Sequence, residues 1–539
     1  MRARLAQDVA ARSAGRVWPL ERIRQHLPDD AALLLWVSAR GENWGCVLRA
    51  QGGPRWQRLP GPGPKGGWTP EDYEQPSRLH AALADPNSSA ARRRELTEAV
   101  RQRWLGPLVQ HLGAQGERPA VRRLFVVPSG YMSSLPVEVI APEWTVSYTP
   151  SGTLLAQALA GHRPLRASPV LALGDPAFAP TQAPEAPEHG LLVTRVQPGS
   201  NAARAGLHSG DVLLRYAGSP LTSGADLASA LKARPRGEAV VWREGKESTV
   251  VLAGPLGVLL DQRPAGEAVR AWRALHPPAV RSASYRPLPG TRHEVLTLRR
   301  LLGARCRALL GSDASEQQLD ALARTGQLEQ FRVLHLATHG RIDLGEPAHS
   351  ALILARDRLP PPDEQAERAG QGLKVYTGEL RVGTILAEWK GKLDCDLVVL
   401  SACETALGRQ TSGQGLLGFA YALQVAGARS VVLSRWQVDD TATALLMLRF
   451  YENLLGARKG TKALTRAAAL QEAKAWLSQL GREEARGLAA ALVQGALAGT
   501  RASEVELNLK DDKVALPAGQ RPFAHPAFWA AFTLLGDPD

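Results

Sequence analysis

At 539 residues the chain is too long for one ordinary core and predicts two or three domains. A hydrophobic share of 44% excludes wholesale disorder, and the excess of 65 Lys and Arg over 52 Asp and Glu is scattered rather than gathered in a block. The tightest basic run is Arg92-Arg93-Arg94, so the expectation is solvated helix faces and no nucleic-acid partner, whose phosphates demand a concentrated patch.

The four cysteines, Cys46, Cys306, Cys395 and Cys403, form no CxxC pair. Their spacing speaks against a disulfide framework or a zinc site, and leaves room for one reactive thiol in a reducing compartment. The opening residues, MRARLAQDVAARSAG, carry Arg but no apolar segment, and no stretch approaches the ~18 apolar residues of a membrane span. The expectation is a cytoplasmic protein with no membrane partner, metal or cofactor.

Residues 31–59 read as short strands broken by Gly-rich turns, and 61–76, rich in Pro and Gly, as a loop. Residues 90–112 place Leu96, Val100, Trp104, Leu108 and Leu112 at helical spacing. RRLFVVPSG, VSYTPSGTLL and PVLALGDP follow, led by strands. The Pro-rich APTQAPEAPEHG then opens onto a compact strand-rich block that ends near 261, and a basic, Pro-rich stretch occupies 262–289. Beyond it HEVLTLRRLLG reads as a helix, RVLHLATHG as a buried strand, DLVVLSACETALG as a strand entering a helix, and RSVVLSRWQVDD as a further strand. Strands alternating with helices imply an α/β fold with parallel pairs, here one unit interrupted by an insert. The boundaries read as 1–180, an insert at 188–261, a linker at 262–289, and 290–539.

Two strand ends carry reactive groups. His339 stands before Gly340 at the end of one apolar run, and Cys403 ends another, 64 residues later. In an open parallel sheet the carboxyl ends of strands face one crevice, so both side chains can reach a common site. A thiol beside a turn and a helix N-terminus is biased toward the nucleophilic thiolate. The imidazole supplies a base and a proton donor for acyl transfer. Gly340 admits close approach of a substrate carbonyl, so its N–H and that of Cys403 can form an oxyanion hole. His335 shares a strand face with His339 but lies in the strand interior, and reads as structural. Glu404 reads as a helix-start acid. Asp343 reads either as a loop residue or as an orienter of the imidazole.

HLATHG, LVVLSACETALG, AGARSVVLSRWQVDDTAT and HPAFWAAFTLLGDP together resemble the CHAT domain, a bacterial relative of caspases and separase. RLFVVPSGYMSSLPVEVI, LALGDPAF and LPGTRHEVLTLRRLLG fit as well, so the resemblance covers about 25–180 and 285–539. It implies a caspase-like sheet flanked by helices, with a degenerate N-terminal half and a catalytic C-terminal half. It also implies a dyad of His339 and Cys403 that cleaves protein or peptide substrates without a metal. In caspase-like folds the strand after the nucleophile's helix lines the P1 pocket, which here is 430–436. Arg435 would then favour an acidic P1 residue, and Asp439 or Asp440 a basic one. The other reading of Asp440 is a helix N-cap.

Inside the insert, GLLVTRV, PGSNAARAGL, GDVLLRYAG and a helix at 225–231 resemble a PDZ domain of the bacterial, protease-associated type. Such domains add an extended peptide to a sheet edge and hold its terminal carboxylate in a backbone nest. The segment upstream of the first strand, LALGDPAF, belongs to the α/β unit, whereas PLGVLL downstream has the expected X-Φ-G-Φ form. The reading is a permuted PDZ whose binding loop is Leu256, Gly257 and Val258. A plain linker strand with a blocked groove is the other reading. Two functions stay open: a regulated cysteine endopeptidase whose insert captures a substrate or regulator, and a signalling or defence scaffold working through the PDZ groove. The intact dyad favours the first. The polar stretches 358–373 and 483–519 read as regulatory loops or simple connections.

Overall fold

The computed structural model describes residues 17–39, 41–161, 169–178, 185–197, 199–243, 245–275, 285, 287–343, 345–360, 362–404, 414–458, 460–497 and 516–539. They fall into two compact units, one drawn from 1–176, 287–354 and 379–539, the other from 177–286 and 355–378. The larger unit begins with β1 (Ala31–Ala39), β2 (Glu42–Arg49), β3 (Arg55–Leu59), β4 (Arg123–Val127), β5 (Thr145–Tyr148) and β6 (Val170–Pro176). The smaller unit holds β7 (Leu191–Val196), β8 (Val212–Tyr216), β9 (Ser219–Pro220), β10 (Arg236–Arg243), β11 (Lys246–Ala253) and β12 (Val258–Leu260). The larger unit resumes with β13 (Cys306–Gly311), β14 (Val333–Arg341), β15 (Ala351–Ile353), β16 (Glu379–Arg381), β17 (Leu397–Glu404), β18 (Ser430–Ser434) and β19 (Phe532–Gly536).

The larger unit is a mixed α/β structure around one mostly parallel sheet, ordered β13-β6-β14-β17-β18-β19-β5-β4-β1-β2-β3, with β15 and β16 appended to β14. Pairs from β13 to β18 are parallel, as are β19-β5, β5-β4 and β4-β1. Only β19 against β18, the β1-β2-β3 edge and the short β15 and β16 run antiparallel. Strands covered on both faces need near-continuous apolar runs, which 397–400 supplies and 333–337 supplies around one buried polar residue, His335. The helix Pro289–Leu302 packs on β6, β13 and β14 and against the helix Asp440–Leu455, while Gln414–Ala426 packs on β18. Strand β6 comes from the N-terminal segment, yet it lies between β13 and β14. The two halves expected from the resemblance are therefore interwoven at that strand.

Charges gather where the central strands begin. Arg332, just before β14, holds Asp396, just before β17, through Nη2 at 2.7 Å and Nε at 3.0 Å. Arg429, just before β18, lies 3.6 Å from the same carboxylate. Arg466 and Asp537 form an ion pair at 3.2 Å with both side chains fully buried. The fixed charges thus anchor the strand ends opposite to those bearing His339 and Cys403.

Three local expectations change. The stretch 61–76 is not all loop: a helix, Pro70–Ala84, starts inside it, with Thr69 and Asp72 in a reciprocal capping box and Pro70 at the first position. The periodic stretch 90–112 is helical over Ala90–Val100, then widens at Arg101–Leu105 before Gly106–Val109. Pro107 has no N–H for the helical ladder, yet all five periodic residues stay buried. The basic stretch 262–289 contains the helix Ala265–Leu275, whose Ala265, Ala268 and Val269 pack with Leu192, Val212, Leu214 and Trp242.

The smaller unit is an antiparallel sheet ordered β11-β10-β8-β7-β12 with β9 on β8. Its other face buries Leu191, Val193, Leu213, Tyr216 and Leu252 with Leu227 of the helix Gly224–Ala233. The polar stretch 358–373 holds a short helix, Pro362–Gly370. Among the described residues no helix is long and apolar enough to cross a membrane.

Candidate active site

The register of the β14–β17 ladder sets His339 opposite Cys403 and Gly340 opposite Glu404. Neighbouring strands run about 4.8 Å apart, so two residues from separate apolar runs become backbone neighbours at the carboxyl ends of their strands. His339 is 8% exposed and so almost wholly enclosed. The side chain of Cys403 and residues 405–413 lie outside the described residues. Strand β17 runs through Glu404, which therefore ends a strand; the described part of the following helix begins at Gln414. Gly340 sits where β14 also pairs with β15, opposite Leu352.

The remaining three cysteines are buried. Burial pushes the Cys395 thiol up to about 12 and those of Cys46 and Cys306 up to about 11. Thiols so poor in thiolate are inert at neutral pH. Iodoacetamide at pH 7.5 is expected to leave these three unmodified in the folded chain and to label them after denaturation. Peptide mapping by mass spectrometry checks it, and native labelling of Cys395 would contradict it.

The proposed P1 residues are placed as follows. Arg435 is 5% exposed, donates to the carbonyls of Ser133 and Ser134 at 3.1 and 3.3 Å, and lays its guanidinium 4.8 Å from the Tyr148 ring. It ties the N-terminal segment to the end of β18, so its guanidinium is engaged inside the fold rather than held out for an acidic P1 residue. Asp439 is the N-cap of the helix Asp440–Leu455, accepting from the Ala442 N–H at 2.9 Å; the cap falls one residue before the position the sequence suggested. The Asp440 carboxyl is pushed up to about 6, first by desolvation and then by the charges of Glu294 and Asp439, with a Gly290 N–H opposing. Asp343 accepts from the N–H groups of Gly345 and Glu346 at 2.9 Å each, which closes a turn and pulls its carboxyl down.

One residue that sequence reading passed over is Glu294, 3% exposed. Its Oε2 is 3.1 Å from Nε2 of His335, and its Oε1 accepts from Ser401 Oγ at 3.2 Å. His335, fully buried, places Nδ1 3.3 Å from the Tyr451 hydroxyl. The signal was present in HEVLTLRRLLG. Glu294 falls on the stripe of Val295, Leu298 and Leu302, where an acid needs partners.

In the smaller unit the carbonyls of Leu256 and Gly257 accept from the N–H groups of Ala202 and Gln197 at 3.1 and 2.8 Å. Gly257 has φ +70°, and Ser200 Cβ lies 2.6 Å from where its own Cβ would stand, so the turn accepts only glycine. Val258 pairs with Val196, and β12 ends the sheet order.

Comparison with known proteins adds the following. The chain is 25% identical over 270 residues to tetratricopeptide repeat protein 28 of Mus musculus, covering 46% of this chain and 9% of that protein. For the Homo sapiens protein of the same name the values are 26% over 211 residues, 35% and 8%. The chain thus spans less than a tenth of these relatives. A stretch of 79 residues is 37% identical to a probable periplasmic DegP-like serine endoprotease of a Marinomonas species, 14% of this chain and 16% of that one. Among solved structures, the Saccharomyces cerevisiae separase–securin complex aligns with TM-score 0.40 and 9% identity, over 85% of this chain and 30% of the other. The Arg-specific cysteine proteinase gingipain R aligns with TM-score 0.33 and 9% identity, over 87% and 73%. The CHAT domain model matches residues 94–537, most of the sequence, and the chain belongs to the CHAT domain family.

Proposed function

We propose that the chain is a cysteine endopeptidase in which Cys403 is the nucleophile and His339 its base. The observation that carries this reading is the ladder register that sets His339 beside Cys403 at the carboxyl ends of two central parallel strands. In the first step the imidazole takes the thiol proton, and the thiolate adds to the scissile carbonyl. Collapse of the tetrahedral adduct expels the amine, which leaves with the proton returned by the imidazolium, and water then hydrolyses the thioester. N–H groups of Gly340 and Cys403 are the proposed donors to the oxyanion. A peptidyl acyloxymethyl ketone tests the pair directly: the full chain should gain one adduct mass on Cys403, and His339→Ala should slow that gain strongly. An adduct on another residue would end the assignment.

The smaller unit is proposed as a PDZ-like binder of peptide C-termini. Both loop carbonyls at Leu256 and Gly257 already accept from Ala202 and Gln197, and β12 is the last strand of its sheet among the described residues, which supports a carboxylate loop beside an edge for strand addition. Peptides with a free C-terminal carboxylate are expected to bind about tenfold or more tighter than their amidated forms, the scale of one lost charged hydrogen-bond cluster. Fluorescence anisotropy checks it, and equal affinities would remove the loop at 256–258. If the chain were a scaffold, this binding would persist while no adduct formed at Cys403.

A further inference from the structure

Glu294 has no part in the acyl-transfer chemistry, yet it lies among the elements that carry it. The helix Pro289–Leu302 lays this carboxylate against two strands at once. His335 on β14 is four residues before His339, and Ser401 on β17 is two residues before Cys403. The backbone ladder fixes which residues stand opposite, and an apolar contact here would add no directional restraint to it. A buried carboxyl does, because losing either partner leaves a polar oxygen unpaired away from water. The contacts also form one continuous chain. Glu294 meets His335 at Nε2, and Nδ1 of the same ring meets the Tyr451 hydroxyl at 3.3 Å. The helix that bears Tyr451 begins at Asp440, and a Cβ on Gly290 would stand 2.4 Å from that of Asp440, so the two helices meet too closely for either to shift alone.

We propose that Glu294 is a positioning residue for the dyad: by holding His335 and Ser401 it locks the register that the backbone ladder gives β14 and β17, and with it the separation of His339 and Cys403. This rests on the Cys–His reading given above. A satisfied polar core alone predicts only a loss of stability when the group is removed. Positioning predicts that the chemistry of Cys403 changes in protein that is still folded.

The test is the rate of alkylation of Cys403 by iodoacetamide against pH in the full chain, read by peptide mass with Cys403→Ala as blank. Wild type, E294A, E294Q and S401A are compared, each with its thermal midpoint. Wild type should alkylate rapidly below pH 7, as a His-paired thiolate does. E294A and S401A should lose about tenfold or more of that rate at pH 6 and move toward the profile of an ordinary thiol. E294Q, whose amide can still bridge the strands, should recover part of it. A wild-type profile in folded E294A or S401A would overturn the positioning role, whatever the midpoints. S401A removes a single hydroxyl, so it reads the proposal even where E294A does not fold. An ordinary thiol profile in wild type would instead overturn the Cys–His reading, and the proposal with it.

Discussion

Replacing His339 by Ala is expected to lower kcat for peptide cleavage by about 10³-fold while KM stays nearly constant. The imidazole serves twice in the proposed cycle, taking the thiol proton before attack and returning it to the leaving amine. Both services belong to the transition state, so removing them lowers turnover without weakening ground-state peptide binding. A drop of less than about tenfold would mean that another group is the base, since positioned proton transfer contributes at least ~10²-fold. His335→Ala should cost about tenfold, less than His339→Ala, because His335 is fully buried and bonded to Glu294, so it acts through positioning and not through proton transfer. Initial rates over a substrate series separate the two outcomes.

The largest expected effect on stability lies at the other end of the sheet. Asp537→Asn should destabilise the larger unit by about 3 kcal/mol or more, because it leaves the Arg466 guanidinium buried without its counter-charge. Arg466 and Asp537 are both 0% exposed, and burial already works against the charged guanidinium, with Asp537 and then Asp396 opposing that pull. The isosteric amide keeps the shape and removes only the charge, so packing loss does not confuse the result. Removing the arginine as well, in Arg466→Met with Asp537→Asn, should restore part of the loss, since the uncompensated charge is gone. Urea unfolding followed by intrinsic tryptophan fluorescence measures both variants. A change below ~0.5 kcal/mol for Asp537→Asn would show that water or another group screens Arg466.

What sequence made legible was the part written in local patterns. The largely apolar stretches leading to His339 and Cys403 announce central strands, and each delivers a group able to do acyl-transfer chemistry to a strand end, which is why the two could be paired before any register was known. The resemblance then supplied the family. The neighbours of β6 were not legible, because strand order depends on contacts between segments more than a hundred residues apart, while each strand's own pattern is the same in any order. Arg435 looked like a pocket residue because its position along the chain was right. Its commitment to Ser133, Ser134 and Tyr148 comes from the N-terminal segment, which its own neighbourhood in sequence cannot reveal. The helix Pro70–Ala84 was hidden by its own start signal, since Thr69, Pro70 and Asp72 read as loop residues when counted by composition and as a cap when read by position. Glu294 follows the same logic: acids in helices usually face water, and only the convergence of β14, β17 and two helices shows why this one does not.

The most direct measurement of the Cys403–His339 pair is cleavage of a proteome-derived peptide pool by the wild-type chain, by Cys403→Ala and by His339→Ala, with new termini read by mass spectrometry. The expected result is a set of cleavages in wild type that share a P1 preference, are absent in Cys403→Ala, and are nearly absent in His339→Ala. Cleavage at the same sites by Cys403→Ala would contradict the assignment of the nucleophile.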